Sequence, residues 1–187
     1  MRITGGKARG ILLKAPKGKE TRPATDRLRE SVFSSLGPRV DGARVADLFA
    51  GTGAYGLEAM SRGASGGIFV ENSTEVIACL RENLAAVSKS CGRYSADDWR
   101  ILAQKIYAID ARVGLFDIVF IDPPYALIGP KIRTIFSDHI SEITTEESIV
   151  CLEMPGDLEV DILGWKQVRR LGKTGRDKPT AVFFERD

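Results

Sequence analysis

The chain has 187 residues, of which 43% are hydrophobic and 28% are charged, and its net charge is only +2; this composition is typical of one globular domain with a substantial core. No apolar run approaches the roughly 18 residues of a membrane span, and the first residues do not resemble a signal peptide, so we expect a cytoplasmic protein without a membrane partner. The three cysteines form no close pair and His139 is the only histidine, which argues against a disulfide framework and against a metal site.

The first 40 residues are predicted to form a small basic extension before the main domain, which we place at residues 41–187. Ile3–Lys14 suggests a hairpin and Thr25–Leu36 a helix, after which glycine and proline interrupt the chain. Residues 1–30 hold nine Lys and Arg against three Asp and Glu, so the rest of the chain is slightly acidic. A basic arm on such a body is an electrostatic footprint for a polyanion, although a solvated terminus can have the same composition.

A glycine-rich segment follows the first predicted strand of the main domain. Gly51, Gly53 and Gly56 have the spacing G-x-G-x-x-G, and strong helix formers resume after them. Glycines let the backbone approach a ligand closely, and the start of a helix offers free N–H groups. The next predicted strand ends in Glu71, where an acid can accept hydrogen bonds from ribose hydroxyls. Each feature alone has a structural explanation, as a turn or a solvated strand end, but their order predicts a nucleotide-cofactor site.

Strands and helices continue to alternate, which predicts an α/β fold with a doubly wound, mainly parallel sheet. We expect a helix over Ser73–Val87 with Asn72 as its N-cap, and a polar, mobile loop over Ser88–Asp98. Strands are expected at Val45–Phe49, Ile68–Glu71, Arg100–Ala103, Ile118–Ile121 and Ile149–Glu153, and the last two runs should form a closing antiparallel pair.

The segment Asp122-Pro123-Pro124-Tyr125 directly follows a strand that is apolar enough to be buried on both faces. Prolines cannot extend the sheet, so the chain should turn sharply at the carboxyl end of the strand, where α/β sheets bind their ligands. An Asp side chain beside a backbone carbonyl can accept both protons of an amino group, and a tyrosine offers a flat face to a base. A proline turn with a core tyrosine is the structural alternative.

A second basic cluster near the carboxyl terminus surrounds a predicted hairpin between Trp165–Val168 and Ala181–Phe184. It could be a second contact for the polyanion or merely a polar turn, and the sequence does not distinguish the two. The cluster comprises Lys166, Arg169, Arg170, Lys173, Arg176 and Lys178.

Taken together, these motifs resemble class I S-adenosylmethionine-dependent methyltransferases that act on amino groups, and more narrowly the bacterial 16S ribosomal RNA guanine-N2 methyltransferase family. The narrower resemblance covers nearly the whole chain. It depends on Arg2–Gly6, Arg22–Phe33, Asp47–Ala59 and Asp122–Tyr125, which occur in the expected order. It implies a seven-stranded sheet with a hairpin-plus-helix extension. It also implies S-adenosylmethionine as cofactor, and as partner 16S ribosomal RNA in a partly assembled small ribosomal subunit. We expect a monomer without a metal ion.

The resemblance also implies roles for individual residues. The catalytic set is Asp122, Pro123 and Tyr125; the cofactor-binding set is Asp47, Phe49, Gly51, Thr52, Gly53, Gly56, Glu71, Asn72, Gln104 and Asp122; the RNA-binding set is Arg2, Arg9, Arg22, Arg27, Arg29, Lys173 and Arg176. Gln104 departs from the family, which often has Asp or Asn at that position near the adenine. The guanine itself comes from the resemblance, because the predicted clamp could hold the amine of adenine, cytosine or guanine.

Three rival functions share parts of this pattern. A DNA adenine methyltransferase would use the same clamp. A nicotinamide-dependent oxidoreductase would use the glycine loop and Glu71 but has no evident need for Asp122–Tyr125. A ribosome-assembly factor could have kept the fold without turnover, although the intact motifs count against it.

Overall fold

The computed structural model describes residues 1–16, 23–92, 98–129, 131–176 and 178–187, with the backbone only for residues 23–25. The strands are β1 (Arg44–Leu48), β2 (Gly66–Glu71), β3 (Trp99–Ala103), β4 (Phe116–Ile121), β5 (Thr144–Pro155), β6 (Trp165–Gly172) and β7 (Pro179–Arg186). The helices are α1 (Pro23–Leu36), α2 (Ala54–Ser61), α3 (Thr74–Cys91) and α4 (Ile132–Ile135), the last continuing as a π-helix over Phe136–Ile140. Within the described ranges, no helix is both long and apolar enough to cross a membrane.

All seven strands form one sheet in the order β3–β2–β1–β4–β5–β7–β6. Strands β1 to β5 pair in parallel, and β7 lies antiparallel between β5 and β6. This confirms the predicted fold class. The prediction that Ile118–Ile121 and Ile149–Glu153 form the closing antiparallel pair was wrong, because β4 and β5 run parallel and the closing antiparallel pair is β6 with β7.

Alternate residues of the parallel strands face two separate cores, because successive side chains of a strand point to opposite faces. In β1, Val45 packs in the core that also holds Phe33 of α1 and Leu57 of α2. Its neighbour Ala46 packs in the core on the other face, with Ile132 of α4. Helices therefore cover both faces of the sheet. Positions two residues apart on one strand share a face, which decides where each strand-end side chain points.

The amino-terminal extension is fastened to α2 rather than free. A single bridge between Arg2 and Leu12 closes the predicted hairpin. The fully buried carboxylate of Glu58 accepts hydrogen bonds from the backbone amides of Thr4 at 2.7 Å and Gly5 at 2.8 Å. Because α2 begins directly after the glycine loop, the extension and the predicted cofactor site share one support.

Two predicted boundaries around α3 were wrong. The N-cap is Ser73 rather than Asn72, because the carboxylate of Glu71 accepts hydrogen bonds from both of these backbone amides at 2.8 Å and delays the helix by one residue. The helix also continues to Cys91, which is buried in the core, so the first part of the predicted loop Ser88–Asp98 is helical. Residues 93–97 of that loop lie outside the described residues.

Candidate active site

A cavity of about 710 Å³ opens at the carboxyl ends of the central parallel strands. The first part of the glycine loop, Phe49–Thr52, lines it together with Glu71 and the segment Asp122–Tyr125, whereas Gly53 and Gly56 are not among the described residues that do. Met1, Ala15 and Pro16 of the extension also reach its wall. The two motifs identified in the sequence, some seventy positions apart, therefore meet in one site.

Four acidic side chains share the face of the sheet that carries α1, α2 and α3. They are Asp47, Glu71, Asp122 and Glu153, and all four line the cavity. Each lies an even number of residues from a strand residue of the core on that face, so the alternation of the strands places them together. The cavity is thus lined by several carboxyl groups that can accept hydrogen bonds from a ligand, and the guanidinium of Arg29 also lines it.

The glycine loop needs its glycines for two different reasons. Gly53 has a φ of +86°, and a Cβ there would lie 2.4 Å from Cδ1 of Leu80. At Gly56 a Cβ would lie 2.3 Å from the ring of Phe69, so this glycine allows α2 to pack closely on β2. Phe49 also has a positive φ, of 59°, which is costly for an aromatic residue. The sharp turn after β1 leaves the backbone of the loop exposed to the cavity.

The glycine loop is held by two of the acids. Asp47 accepts a hydrogen bond from the backbone amide of Gly56 at 2.8 Å. Glu71 accepts one from the amide of Gly51 at 3.0 Å through Oε2, while its Oε1 binds the two amides before α3. Burial raises the pKa of Asp47 to about 8, more than the amide of Gly56 lowers it, and the charge of Glu71 adds to the rise. Asp47 therefore holds the loop where α2 begins, and Glu71 holds it where it borders the cavity.

Asp122, directly after β4, and Glu153, near the end of β5, are neighbouring acids. The register pairs Ile121 with Leu152, so the two acids follow directly on neighbouring strands. Solvent reaches Asp122 through the open cavity, but protein surrounds it on most sides. Its pKa is raised well above the usual range by burial first and then by the charges of Glu153 and Asp47.

Glu153 is 6% exposed and was not predicted from the sequence. The hydroxyl of Tyr55 donates a hydrogen bond to its Oε2 at 2.8 Å. Burial raises the pKa of Glu153, whereas the Tyr55 hydrogen bond and the nearby Arg29 guanidinium oppose the rise. The ring of Tyr55 stacks on Phe120 with centroids 4.9 Å apart, which fixes the hydroxyl. The signal that could have found Glu153 is its position, because it ends a predicted strand as Glu71 does.

The other predicted site residues differ in their placement. Phe49, Thr52, Asn72, Pro123 and Tyr125 line the cavity, and the ring of Tyr125 is about half exposed. Gln104 follows β3 and is not among the described residues that line the cavity; its side-chain amide donates to the carbonyl of Ala108 at 3.3 Å.

The predicted RNA-binding residues form two groups and one exception. Arg2, Arg9 and Arg27 are exposed around a second, shallower cavity of about 360 Å³, which Asp26 and Glu30 also line. Lys173 and Arg176 are exposed in the turn between β6 and β7. Arg22 lies outside the described residues.

Arg29 is the exception, because only 2% of it is exposed. Its guanidinium donates to Asp26 at 3.0 Å, to Glu58 at 3.4 Å and to the carbonyl of Arg2. A buried charge must be paired, and the acids meet this need inside the protein. The expectation that Arg29 belongs to an exposed RNA-binding surface is therefore corrected: it ties α1 to α2 beneath the extension.

Comparison with known proteins gives a consistent result. The family model described as Conserved hypothetical protein 95 matches residues 1–180. A Bacillus subtilis (strain 168) protein, YlbH, which is provisionally named an rRNA methyltransferase, is 41% identical over 127 residues, and the alignment spans 67% of each chain. Ribosomal RNA small subunit methyltransferase D of Escherichia coli (strain K12) is 39% identical over 126 residues, which span 67% of this chain but only 60% of the relative.

A solved structure is similar over the whole chain. An Escherichia coli protein provisionally named methyltransferase yhhF superposes with a TM-score of 0.78 and 29% sequence identity, covering 100% of this chain and 98% of that one. The structure of an RNA methyltransferase, provisionally named so, from Pyrococcus horikoshii has a TM-score of 0.69 at 21% identity and shows the shared fold.

Proposed function

Because the chain belongs to the Conserved hypothetical protein 95 family, we propose that it is an S-adenosylmethionine-dependent methyltransferase whose acceptor is the exocyclic 2-amino group of a guanine in 16S ribosomal RNA. One observation carries the proposal: the first part of the glycine loop with Glu71 and the segment Asp122–Tyr125 line the same cavity. A cofactor site and an amine clamp that face each other are what methyl transfer to a base requires. The names of the relatives support ribosomal RNA as the substrate.

The residues of the cavity fit the proposed cofactor. Gly51 lines the cavity with a positive φ and no side chain, so the loop backbone can approach a ligand there. Glu71 reaches the same space from the end of β2, where its carboxylate can accept hydrogen bonds from ribose hydroxyls. When bound, this cofactor supplies a methyl group on a good leaving group, so the protein mainly has to align the acceptor amine.

The clamp has to improve a poor nucleophile, since the lone pair of a base amine is delocalised into the ring. Asp122 and the carbonyl of Pro123 can accept its two N–H bonds and so favour a pyramidal nitrogen that points its lone pair at the methyl group. These donors would also favour the ionised form of Asp122, against the rise in its pKa from burial and neighbouring charge. Either Asp122 or water takes the proton that the nitrogen loses. Tyr125 stacks on the base after it leaves its helix.

The extension, residues 1–40, is proposed to contact RNA, and residues 41–187 to carry out the transfer. The exposed Arg2, Arg9 and Arg27 lie on the extension and can bind phosphates. A compact domain with so small a basic surface has little room for sequence readout. We therefore propose that the enzyme recognises the shape of a partly assembled small ribosomal subunit and an unstacked nucleotide within it.

The test offers the enzyme three substrates with labelled S-adenosylmethionine: small subunits that lack the modification, naked ribosomal RNA and duplex DNA. The product nucleoside is then identified by mass spectrometry, and its position in the RNA is mapped. N2-methylguanosine formed mainly in the ribosomal particle supports the proposal. N6-methyladenine in DNA would instead identify a DNA methyltransferase, and binding to the particle without any transfer of label would identify an assembly factor.

A further inference from the structure

The clamp at Asp122 explains why an amine is held but not why that amine should belong to guanine. Adenine, cytosine and guanine all carry an exocyclic amino group on the edge that normally pairs with another base. Two N–H acceptors side by side fit each of them equally well. A site that prefers guanine therefore needs a further group that recognises the ring atom next to the amine.

We propose that Glu153 is this group: its carboxylate accepts a hydrogen bond from the N1–H of the target guanine and so determines the base. This proposal depends on the methyl transfer proposed above, and it adds a residue that contacts the base beside the amine clamp. Guanine is unlike the other two amino bases at this atom. Next to its amine it carries an N–H donor, whereas adenine and cytosine carry a ring nitrogen with a lone pair.

The position of Glu153 fits this role. It lies beside Asp122 on the neighbouring parallel strand, one step beyond the pair Ile121 and Leu152. Parallel strands are about 4.8 Å apart, so acids on adjacent strands can contact adjacent atoms of one base. Glu153 lines the cavity although it is 6% exposed. Tyr55 donates to its Oε2, and no donor among the described residues is bonded to Oε1, which can therefore accept from a group in the cavity.

The charge on Glu153 is also suitable. Burial raises the pKa of Glu153, but the hydrogen bond from Tyr55 and the charge of Arg29 oppose that rise and favour the carboxylate form. The pKa of Asp122 is raised well above its usual range, by burial first and then by the charges of Glu153 and Asp47. An ionised Glu153 attracts an N–H donor and repels a lone pair. Two adjacent acids therefore match both donors of guanine, the N1–H and the amine. In adenine and cytosine they match only the amine, because the neighbouring ring nitrogen carries a lone pair.

The experiment replaces the target guanine, once mapped, by 2-aminopurine in an RNA joined from synthetic fragments. This analogue keeps the 2-amino group but has a lone pair at N1. The wild-type enzyme should prefer guanine by roughly 10- to 150-fold in kcat/KM, the effect of removing one hydrogen bond to a charged group. In Glu153→Gln, the Tyr55 hydroxyl still finds an oxygen, and the amide presents N–H to the base. The preference should fall at least tenfold, while S-adenosylmethionine affinity stays the same.

The quantity compared is the preference for guanine over 2-aminopurine, measured in the wild type and in the variant. Because both enzymes use the same two substrates, the different chemical reactivities of the two amines cancel. Glu147→Gln is the matched control, because Glu147 is an exposed acid at the opposite end of the same strand; its preference should equal that of the wild type. An unchanged preference in Glu153→Gln would overturn the proposal. If that variant does not fold, equal use of both substrates by the wild type would overturn it as well. Methylation of guanine by the wild type establishes the proposed function separately, so the failure of one does not imply failure of the other.

Discussion

Replacing Glu71 by alanine is expected to weaken S-adenosylmethionine binding by roughly 10- to 150-fold. A hydrogen bond to a charged acceptor contributes about 1.5–3 kcal/mol, and about 1.4 kcal/mol corresponds to a factor of ten in the dissociation constant. The structure adds a reason to expect the upper part of this range. Glu71 also accepts the amide of Gly51 at 3.0 Å, so its loss loosens the glycine loop as well as removing the acceptor for ribose.

Isothermal titration calorimetry on the folded variant measures this effect. Glu75→Ala is the matched control, because Glu75 is an exposed acid in the first turn of α3 and is not among the residues that line the cavity. RNA affinity should remain near that of the wild type in both variants. A dissociation constant for Glu71→Ala that equals that of the control would refute the assignment of Glu71 to the cofactor.

Three further predictions concern the clamp, the loop and the extension. Asp122→Ala should still bind the cofactor, but single-turnover methyl transfer should fall by orders of magnitude, since the missing group acts on the nucleophile. Asp47→Asn keeps an acceptor for the loop amide and removes an acid whose pKa is raised from 3.8 to about 8. The Asp47 carboxyl holds its proton more tightly in the folded wild type than in the unfolded chain. As the pH rises from about 3.8 to about 8, the free energy of unfolding of the wild type should therefore fall relative to that of the variant, and above pH 8 the difference between the two should stay constant. Neutralising Arg2, Arg9 and Arg27 together should lower the slope of log RNA affinity against log salt by about 2–3 units, or roughly 0.7–0.9 for each phosphate that is no longer neutralised.

Each of these has a clear contrary result. Near-normal turnover in Asp122→Ala would remove this residue from the site. Urea unfolding curves of Asp47→Asn that differ from the wild type by the same free energy at pH 5 and pH 9 would contradict the raised pKa. A triple arginine variant with the wild-type salt slope would show that the extension is a solvated surface rather than an RNA contact.

The fold could be predicted well because its signals are local. Short apolar runs mark the parallel strands, and the bounds of four of the five were predicted to within two residues. The exception is β5, which extends from Thr144 to Pro155 although only Ile149–Glu153 was predicted. Its first residues are polar and mostly exposed, so they give no hydrophobic signal, and pairing with the rest of the sheet extends the strand.

Only those parts of the site that are formed by consecutive residues could be predicted from the sequence. The glycine loop and the Asp122–Tyr125 segment each depend on a few consecutive residues, so their place beside the cavity follows from the edge of the sheet at which they occur. Counting charges along the sequence does not show which of them reach solvent, and Arg29 is an example. Composition places it in a basic arm, but its partner Glu58 comes from α2 and only the folded chain brings the two together. The charge of the extension that reaches solvent is therefore smaller than the sequence suggests.

The role of Glu153 could not be predicted from the sequence, because its place beside Asp122 depends on the register between two strands. In the sequence it is one acid after an apolar run, and a solvated strand end is the simplest explanation. The parallel pairing of β4 with β5 sets it beside Asp122, and the stacking of Tyr55 on Phe120 holds its hydrogen-bond donor in place. Burial and then the neighbouring charge of Glu153 raise the pKa of Asp122, so ionising both acids at once is unfavourable. A guanine edge with consecutive N–H donors would favour both carboxylates, and this is the physical reason to seek the specificity of the proposed enzyme at Glu153 rather than in the clamp.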